Sequence, residues 1–363
     1  MRTLITVREP GRDPIPLVVE GDQFADLDAG PIDAEVPTEP LYALPGLADC
    51  HAHVSMENLG QGGSITDDDI RSNCIKNVWM QVQGGVLLIA DKGSSSDVSL
   101  EILGTPATTR PEMQMAGRIL ASPGGYYPGY GYETDEDGLA EAVRAAAAGS
   151  ASWVKIIGDW PRKGLGPRAN YGVTALRKAV DVAHAADRRV AVHTMAPEGI
   201  RPAVDAGVDS IEHGLFLSAN DLPVLAARNA AWVPTILGVE SIIGFLGADS
   251  SGGKLLAHGI QNVRELLPEA EQLGVTVLAG TDLAVPHGKV ALEAIRLHEL
   301  GLSKRAALHA VTRAAYDYLG VARSFAPGAT ADVVFVRDDP REHLETLLDP
   351  VMIIRSGWIV MRH

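Results

Sequence analysis

The chain has 363 residues, 46% of them hydrophobic and 21% charged, enough to bury a sizeable core and too evenly mixed for long disorder. Its formal net charge of -15 argues against a nucleic-acid or anionic-membrane binder, because such partners need a basic face to displace counterions. No stretch approaches the ~18 uninterrupted apolar residues of a membrane span, and MRTLITVREPGRD at the N-terminus lacks a long apolar leader, so a soluble, cytoplasmic protein is expected.

Residues 1–43 hold short alternating segments, RTLITV and PLVVEGDQFADL, broken by Pro and Gly. From there apolar runs alternate with helical patterns. The expected strands are YALPGLAD (42–49), GGVLLIAD (84–91), MAGRILA (115–121), SWVKIIG (152–158), RRVAVHT (188–194), VDSIEHG (208–214), AAWVPTIL (230–237) and VTVLAGTD (275–282). Helix-like stretches such as 136–149, 174–187 and 259–274 lie between them. Strand alternating with helix implies parallel strands joined by right-handed crossovers, and eight such strands suit an α/β fold of the closed (β/α)8, TIM-like barrel type over residues 44–325. The cluster ADSSGGK (248–254) reads as a mobile loop. Residues 326–363 return to strand-like segments, ATADVVFVR, PVMIIRSG and WIVMRH, which pair with residues 1–43 if the two ends form one small β domain. Cys50 and Cys74 are too few for a disulfide framework and read as thiols.

In such a barrel the active site gathers at the C-terminal ends of the strands. That rule selects His51 and His53 after the first strand, Lys155 in the fourth, His193, His213 and Asp282 closing the fifth, sixth and eighth. Residues i and i+2 of an extended segment share a side, so both imidazoles of His51-Ala52-His53 can reach one ion. Imidazoles and carboxylates are the usual ligands of zinc and similar ions. A lone histidine is by default a satisfied core or surface residue, and His184, His258, His298, His309, His343 and His363 are read so. Lys155 inside WVKIIG would lose its hydration, and must pair, shift its pKa or react. A salt bridge to Asp159 or Glu212 is one resolution; carbamylation by carbon dioxide, giving an anionic oxygen ligand that bridges two cations, is the other.

In order, LPGLADCHAHV, WVKIIGDW, VAVHTMAPEGIRPAVDAGVDSIEHG, VPTI, GVTVLAGTDLAVPHG and FAPGATADVVFVRDDP resemble the metal-dependent amidohydrolase superfamily, nearest to its imidazolonepropionase-like and prolidase-like branch. The resemblance covers almost the whole chain. It implies a distorted (β/α)8 barrel with a small β-sandwich built from both termini. It also implies that His51, His53 and Asp282 bind a buried metal, that a carboxylated Lys155 bridges, and that His193 and His213 hold a second metal. The chain departs from the family in one place: His193-Thr194-Met195-Ala196 stands where relatives commonly read His-Ala-His-Gly, which puts Met195 in the substrate pocket.

The chemistry so implied is that of two divalent ions, zinc foremost, with a bridging hydroxide attacking a C–N bond of amide, peptide-like or cyclic-amide type. Asp282 is expected to take the proton and pass it to the leaving nitrogen, with His213 or His287 stabilising the oxyanion. For His287 a loop histidine bonded to backbone is the equal alternative. Specificity is expected from the loops: Tyr126, Tyr127, Tyr130 and Tyr132 in 123–138, Trp160, Arg162, Lys163 and Arg168 in 159–172, and a flap over 55–69. The expected partner is a small-molecule substrate, with homo-oligomers open. Deamination of a heterocycle, lactone or phosphotriester hydrolysis on the same centre, and a non-catalytic binding homologue are the alternatives. The bridging lysine disfavours a mononuclear deaminase, and the filled ligand positions disfavour a homologue that has lost its chemistry.

Overall fold

A computed structural model describes residues 1–38, 41–57 and 65–362. The alternating N-terminal segments form β1 (Arg2–Val7), β2 (Ile15–Glu20), β3 (Gln23–Ala25) and β4 (Ala34–Glu35), one sheet in the order β3-β2-β1-β4. The segment 42–49, expected as one strand, is two: β5 (Tyr42–Leu44) and β6 (Leu47–Ala52). Pro45 and Gly46 part them, with Gly46 at φ +117, where a side chain is disfavoured and a Cβ would also lie 2.7 Å from that of Leu87.

Helix α1 (Asp67–Gln83) opens with a reciprocal capping box between Thr66 and Asp69. β7 (Val86–Asp91) is buried at every position, as a strand covered on both faces must be. The run 115–121 is not one strand, because β8 (Glu112–Met115) and β9 (Leu120–Ala121) flank an interruption at Gly117, where a Cβ would meet Asp97 Oδ1 at 2.4 Å. After β10 (Tyr132–Glu133), α2 (Leu139–Ala147) and β11 (Trp153–Ile157), the segment expected as a loop folds instead into an antiparallel hairpin, β12 (Asp159–Arg162) with β13 (Gly166–Ala169). Next come α3 (Val173–Ala185), β14 (Arg189–Thr194), α4 (Pro197–Ala206), β15 (Ser210–His213), α5 (Leu222–Arg228), β16 (Ala231–Val233) and α6 (Ile236–Leu246).

The Gly/Ser cluster at 248–254 corrects the loop expectation. Ser250 accepts from the Gly253 amide and caps α7 (Ser251–Gln272), so the cluster is a helix start. The chain ends with β17 (Thr276–Val277), α8 (Ala291–Glu299), α9 (Lys304–Ala310), α10 (Arg313–Leu319), β18 (Val333–Val336), β19 (Met352–Arg355) and β20 (Trp358–Arg362).

Two parallel sheets carry the central strands, β6-β7-β8 and β10-β9-β11-β14-β15-β16-β17. A bridge between Ala116 and Trp153 joins them at one side, and a hydrogen bond of 2.9 Å from the Cys50 amide to the Ala279 carbonyl joins them at the other. This is an α/β arrangement consistent with a TIM-like barrel. A further sheet, β20-β19-β18-β5, shares an apolar cluster with the N-terminal one: Ile5, Leu17, Phe24, Ala43, Phe335 and Ile354 pack together, so residues from both ends of the chain are neighbours. Cys50 and Cys74 are free and buried. No helix among the described residues is long and apolar enough to cross a membrane.

Candidate metal centre

The parallel strands deliver their polar termini to one end. His51 sits in β6, Lys155 in β11, His193 in β14 and His213 in β15, while His53 and Asp282 lie just beyond β6 and β17; all six are buried. His51 Nε2 lies 3.5 Å and His53 Nε2 3.3 Å from Asp282 Oδ1. Among the described residues these three form the one group of His, Cys, Asp or Glu whose ligand atoms lie within 4.8 Å of one another. Ligands ~2.0–2.2 Å from a tetrahedral ion stand ~3.3–3.5 Å apart, so the spacing suits a shared ion. A second pair faces it: His193 Nδ1 and His213 Nε2 are 2.9 Å apart.

Two of the rings are aimed by their other nitrogens. His53 Nδ1–H donates to the Gly93 carbonyl at 2.7 Å, which turns Nε2 toward Asp282; burial lowers the pKa of this imidazole, and the Asp282 carboxylate more than offsets it. The Thr235 hydroxyl donates to the Pro234 carbonyl (2.8 Å), so it must accept from His213 Nδ1–H (2.6 Å), leaving His213 Nε2 to accept from His193 Nδ1. Burial lowers the pKa of both His193 and His213, which favours the neutral, ligating imidazole. Burial opposes ionisation of Asp282, but His51, His53 and Lys155 outweigh it and bring the carboxyl down to about 2.

The backbone is bent to make these approaches. The Thr281 and Asp282 amides both donate to the His51 carbonyl, and a Cβ on Gly280 would lie 2.4 Å from the His51 Cβ. His213, Thr235 and Asp282 take φ of +64, +49 and +43, conformations that cost a non-glycine residue about 1–3 kcal/mol each and cluster at functional sites. Two carboxylates not singled out from sequence hold the ligand loops. Asp91 accepts from the Val54 and Gly93 amides, and Asp49 from the Thr281 amide and hydroxyl.

Lys155 finds neither of its two expected ion-pair partners. Asp159 accepts instead from the Met195 and Ala196 amides (3.2 and 3.1 Å), and Glu212 Oε1 lies 3.4 Å from Lys92 Nζ. Lys155 Nζ is buried with no hydrogen bond, and burial brings its pKa down to about 8 despite the nearby Glu212 and Asp282. An orphaned amine beside inward-facing imidazoles and an ionised carboxylate is a donor set that fits divalent cations.

The loop residues divide. Tyr126 and Tyr127 each stand 4.8 Å from Trp160 between ring centroids, and Tyr126 and Trp160 stand 6.4 and 5.8 Å from His193, so three of the expected substrate residues form an aromatic wall beside the second histidine pair. Tyr130 is buried against Met56 and Leu283, and Met195 is half-buried against the core. Arg162 is committed internally: its guanidinium donates to the Pro123 carbonyl, the Ser122 hydroxyl and Asn170, tying the tyrosine loop to the β12–β13 hairpin. His287 likewise bonds the Met56 carbonyl through Nε2 (2.9 Å) and Gln81 through Nδ1 (3.4 Å), which is the loop-histidine alternative. Residues 58–64 of the expected flap, and His363, lie outside the described residues.

Residues 42–360 match the Amidohydrolase family. An uncharacterised protein of Mycobacterium tuberculosis is 31% identical over 352 residues, 90% of each chain. Ochratoxinase of Aspergillus niger is 22% identical over 349 residues, 85% of this chain and 72% of that protein; its crystal structure superposes with a TM-score of 0.80 at 18% identity, covering 99% and 96% of the two chains. A Xaa-Pro dipeptidase solved with methionine in its active site gives a TM-score of 0.85 at 21% identity over 99% of both chains.

Proposed function

The chain belongs to the amidohydrolase family of metal-dependent hydrolases, which act on C–N bonds, and from that premise we propose that it cleaves an amide of a small molecule at a centre of two divalent ions. The observation that carries the reading is Lys155: a buried amine without a partner, in a strand between one histidine–aspartate group and one histidine pair. His51, His53 and Asp282 would hold one ion, and His193 and His213 the other. Lys155, as the neutral amine that burial favours, would add carbon dioxide, shed a proton and become an anionic oxygen ligand between them.

Bound divalent ions, zinc foremost, would lower the pKa of water toward ~7 and polarise a scissile carbonyl. Asp282, held ionised, takes the proton of the attacking water and returns it to the leaving nitrogen; one carboxylate serves both steps because it is regenerated within the cycle. Tyr126, Tyr127 and Trp160 would orient the substrate through its apolar face. The similar Xaa-Pro dipeptidase, by its name, supports a peptide-like amide substrate. We read the two parallel sheets as one closed, distorted (β/α)8 barrel, and residues 1–43 with 326–363, extended to include β5, as a composite β-sandwich.

Protein reconstituted with zinc and bicarbonate, and screened against dipeptides, N-acyl amino acids, lactams, lactones and aminopurines, tests the assignment. Release of an amine or amino acid from an amide is expected. Ammonia from the aminopurines alone, or no C–N cleavage in any class, would overturn it.

A further inference from the structure

A second buried lysine stands where the metal ligands do not account for it. Lys92 directly follows β7; it is buried, its Nζ is 3.7 Å from the centroid of the Trp153 ring and 3.4 Å from Glu212 Oε1. Glu212 is fully buried in β15, one residue before His213, and the Ser210 hydroxyl donates to its Oε1 at 2.5 Å. Its other oxygen, Oε2, lies 2.6 Å from His51 Nδ1, yet neither atom makes an aligned hydrogen bond to anything. Two buried polar atoms, both unsatisfied and in contact, are each other's available partners, since a buried polar group left bare loses its hydration without compensation.

We propose that Lys92 and Glu212 are positioning residues for the metal centre: Glu212 accepts the His51 Nδ1 proton and so aims His51 Nε2 at Asp282, while Lys92 supplies the buried cation that keeps Glu212 in place. The chain of contacts is continuous, from the Trp153 ring to Lys92, to Glu212, to His51 Nδ1, and from His51 Nε2 across 3.5 Å to Asp282 Oδ1. A lone buried carboxylate in that place would be strongly disfavoured, and the fixed ammonium offsets its charge. His53 is oriented by a neutral backbone carbonyl and His213 by a hydroxyl, so His51 is the ligand oriented by a charged side chain. A carboxylate behind an imidazole makes it a better donor to a cation. Glu212 is also unavailable to Lys155 for this reason, and that leaves the Lys155 amine free.

The inference rests on His51 being a ligand, as proposed above, and its test separates the two. Zinc retention against a graded chelator is measured for the wild-type protein, Glu212→Gln, Lys92→Met and the double variant. Each single substitution is expected to weaken retention about tenfold to a hundredfold, with the double variant no worse than the poorer single, because the pair acts as a unit. Nitrogen-15 spectra of the metal-free wild-type protein, with the His51 signal identified by its loss in a folded His51→Asn, are expected to show the proton on Nδ1; this readout does not depend on how the Glu212 and Lys92 variants fold. Wild-type zinc affinity in both singles, or a proton on Nε2 of His51, would overturn the positioning role alone. A wild-type chain that takes up no zinc would overturn the metal centre, and this inference with it.

Discussion

The two ends of the parallel strands are built from the same residue types and use them in opposite ways. At the strand starts, Gln114, His184, Arg189 and Asp209 line an open cavity of about 590 Å³. Their principal polar groups are matched there: His184 Nε2 bonds Asp209 at 2.8 Å, the Val190 amide bonds the same oxygen, and Arg189 donates to the Tyr318 carbonyl while lying 4.9 Å from the Tyr318 ring centroid. At the strand ends, two buried histidine nitrogens meet each other across 2.9 Å, and Lys155 is orphaned. A cavity lined with charge marks stability where each charge has a partner, and chemistry where the partners are withheld.

Substitutions sharpen that contrast in descending order of effect. Asp282→Asn would remove both a proposed ligand and the proposed proton carrier, so turnover of the identified amide is expected to fall by about 10²–10⁴-fold or more, with the far-ultraviolet circular dichroism unchanged. Substantial remaining activity would remove Asp282 from proton transfer. Lys155→Ala is expected to lose bound metal and activity together, with partial recovery in added short-chain carboxylates; unchanged metal content would make Lys155 structural. Gly280→Ala puts a Cβ 2.4 Å from that of His51, and overpacking of this kind costs about 1–3 kcal/mol. Metal retention should therefore drop even though no ligand is altered, and a metal titration identical to wild type would show that the strands yield without moving His51.

Trp160→Ala thins the aromatic wall, and an aromatic pair contributes about 0.5–1.5 kcal/mol. Its KM for aromatic amides should rise up to about tenfold with kcat little changed. At the opposite end, His184→Gln breaks a partly exposed pair, so kcat/KM should stay at the wild-type value and stability fall by about 1 kcal/mol at most in a thermal melt. A large loss of activity from His184→Gln would break the division between the two ends.

Most of the strands, and the residues grouped at the candidate metal centre, were legible in the sequence for one reason. A polar residue ending a buried apolar run has few satisfactory explanations, and His51, His53, Lys155, His193, His213 and Asp282 each end or interrupt such a run. Lys92 obeys the same rule, following VLLIAD, and could have been found by it. The orienting groups were less visible. Thr235 and Asp91 act through hydrogen bonds across neighbouring strands, which depend on register rather than on local pattern. Arg162 is internally tied because 159–169 turns back as a hairpin, and Lys163-Gly164 in PRKGLGPR reads equally well as a loop. Strand limits failed at glycines, Gly46 and Gly117, where close approach of another segment, invisible in a single stretch of sequence, ends the pairing.

Metal content under carbon dioxide control tests the two-ion centre most directly. Wild-type protein loaded with zinc in bicarbonate, freed of loose ions and analysed by elemental mass spectrometry, should carry about two equivalents per chain, with a carbamate carbon signal from labelled bicarbonate that Lys155→Ala lacks. One equivalent or none in the wild-type protein, or the same content and the same signal in Lys155→Ala, would contradict a binuclear centre bridged by Lys155.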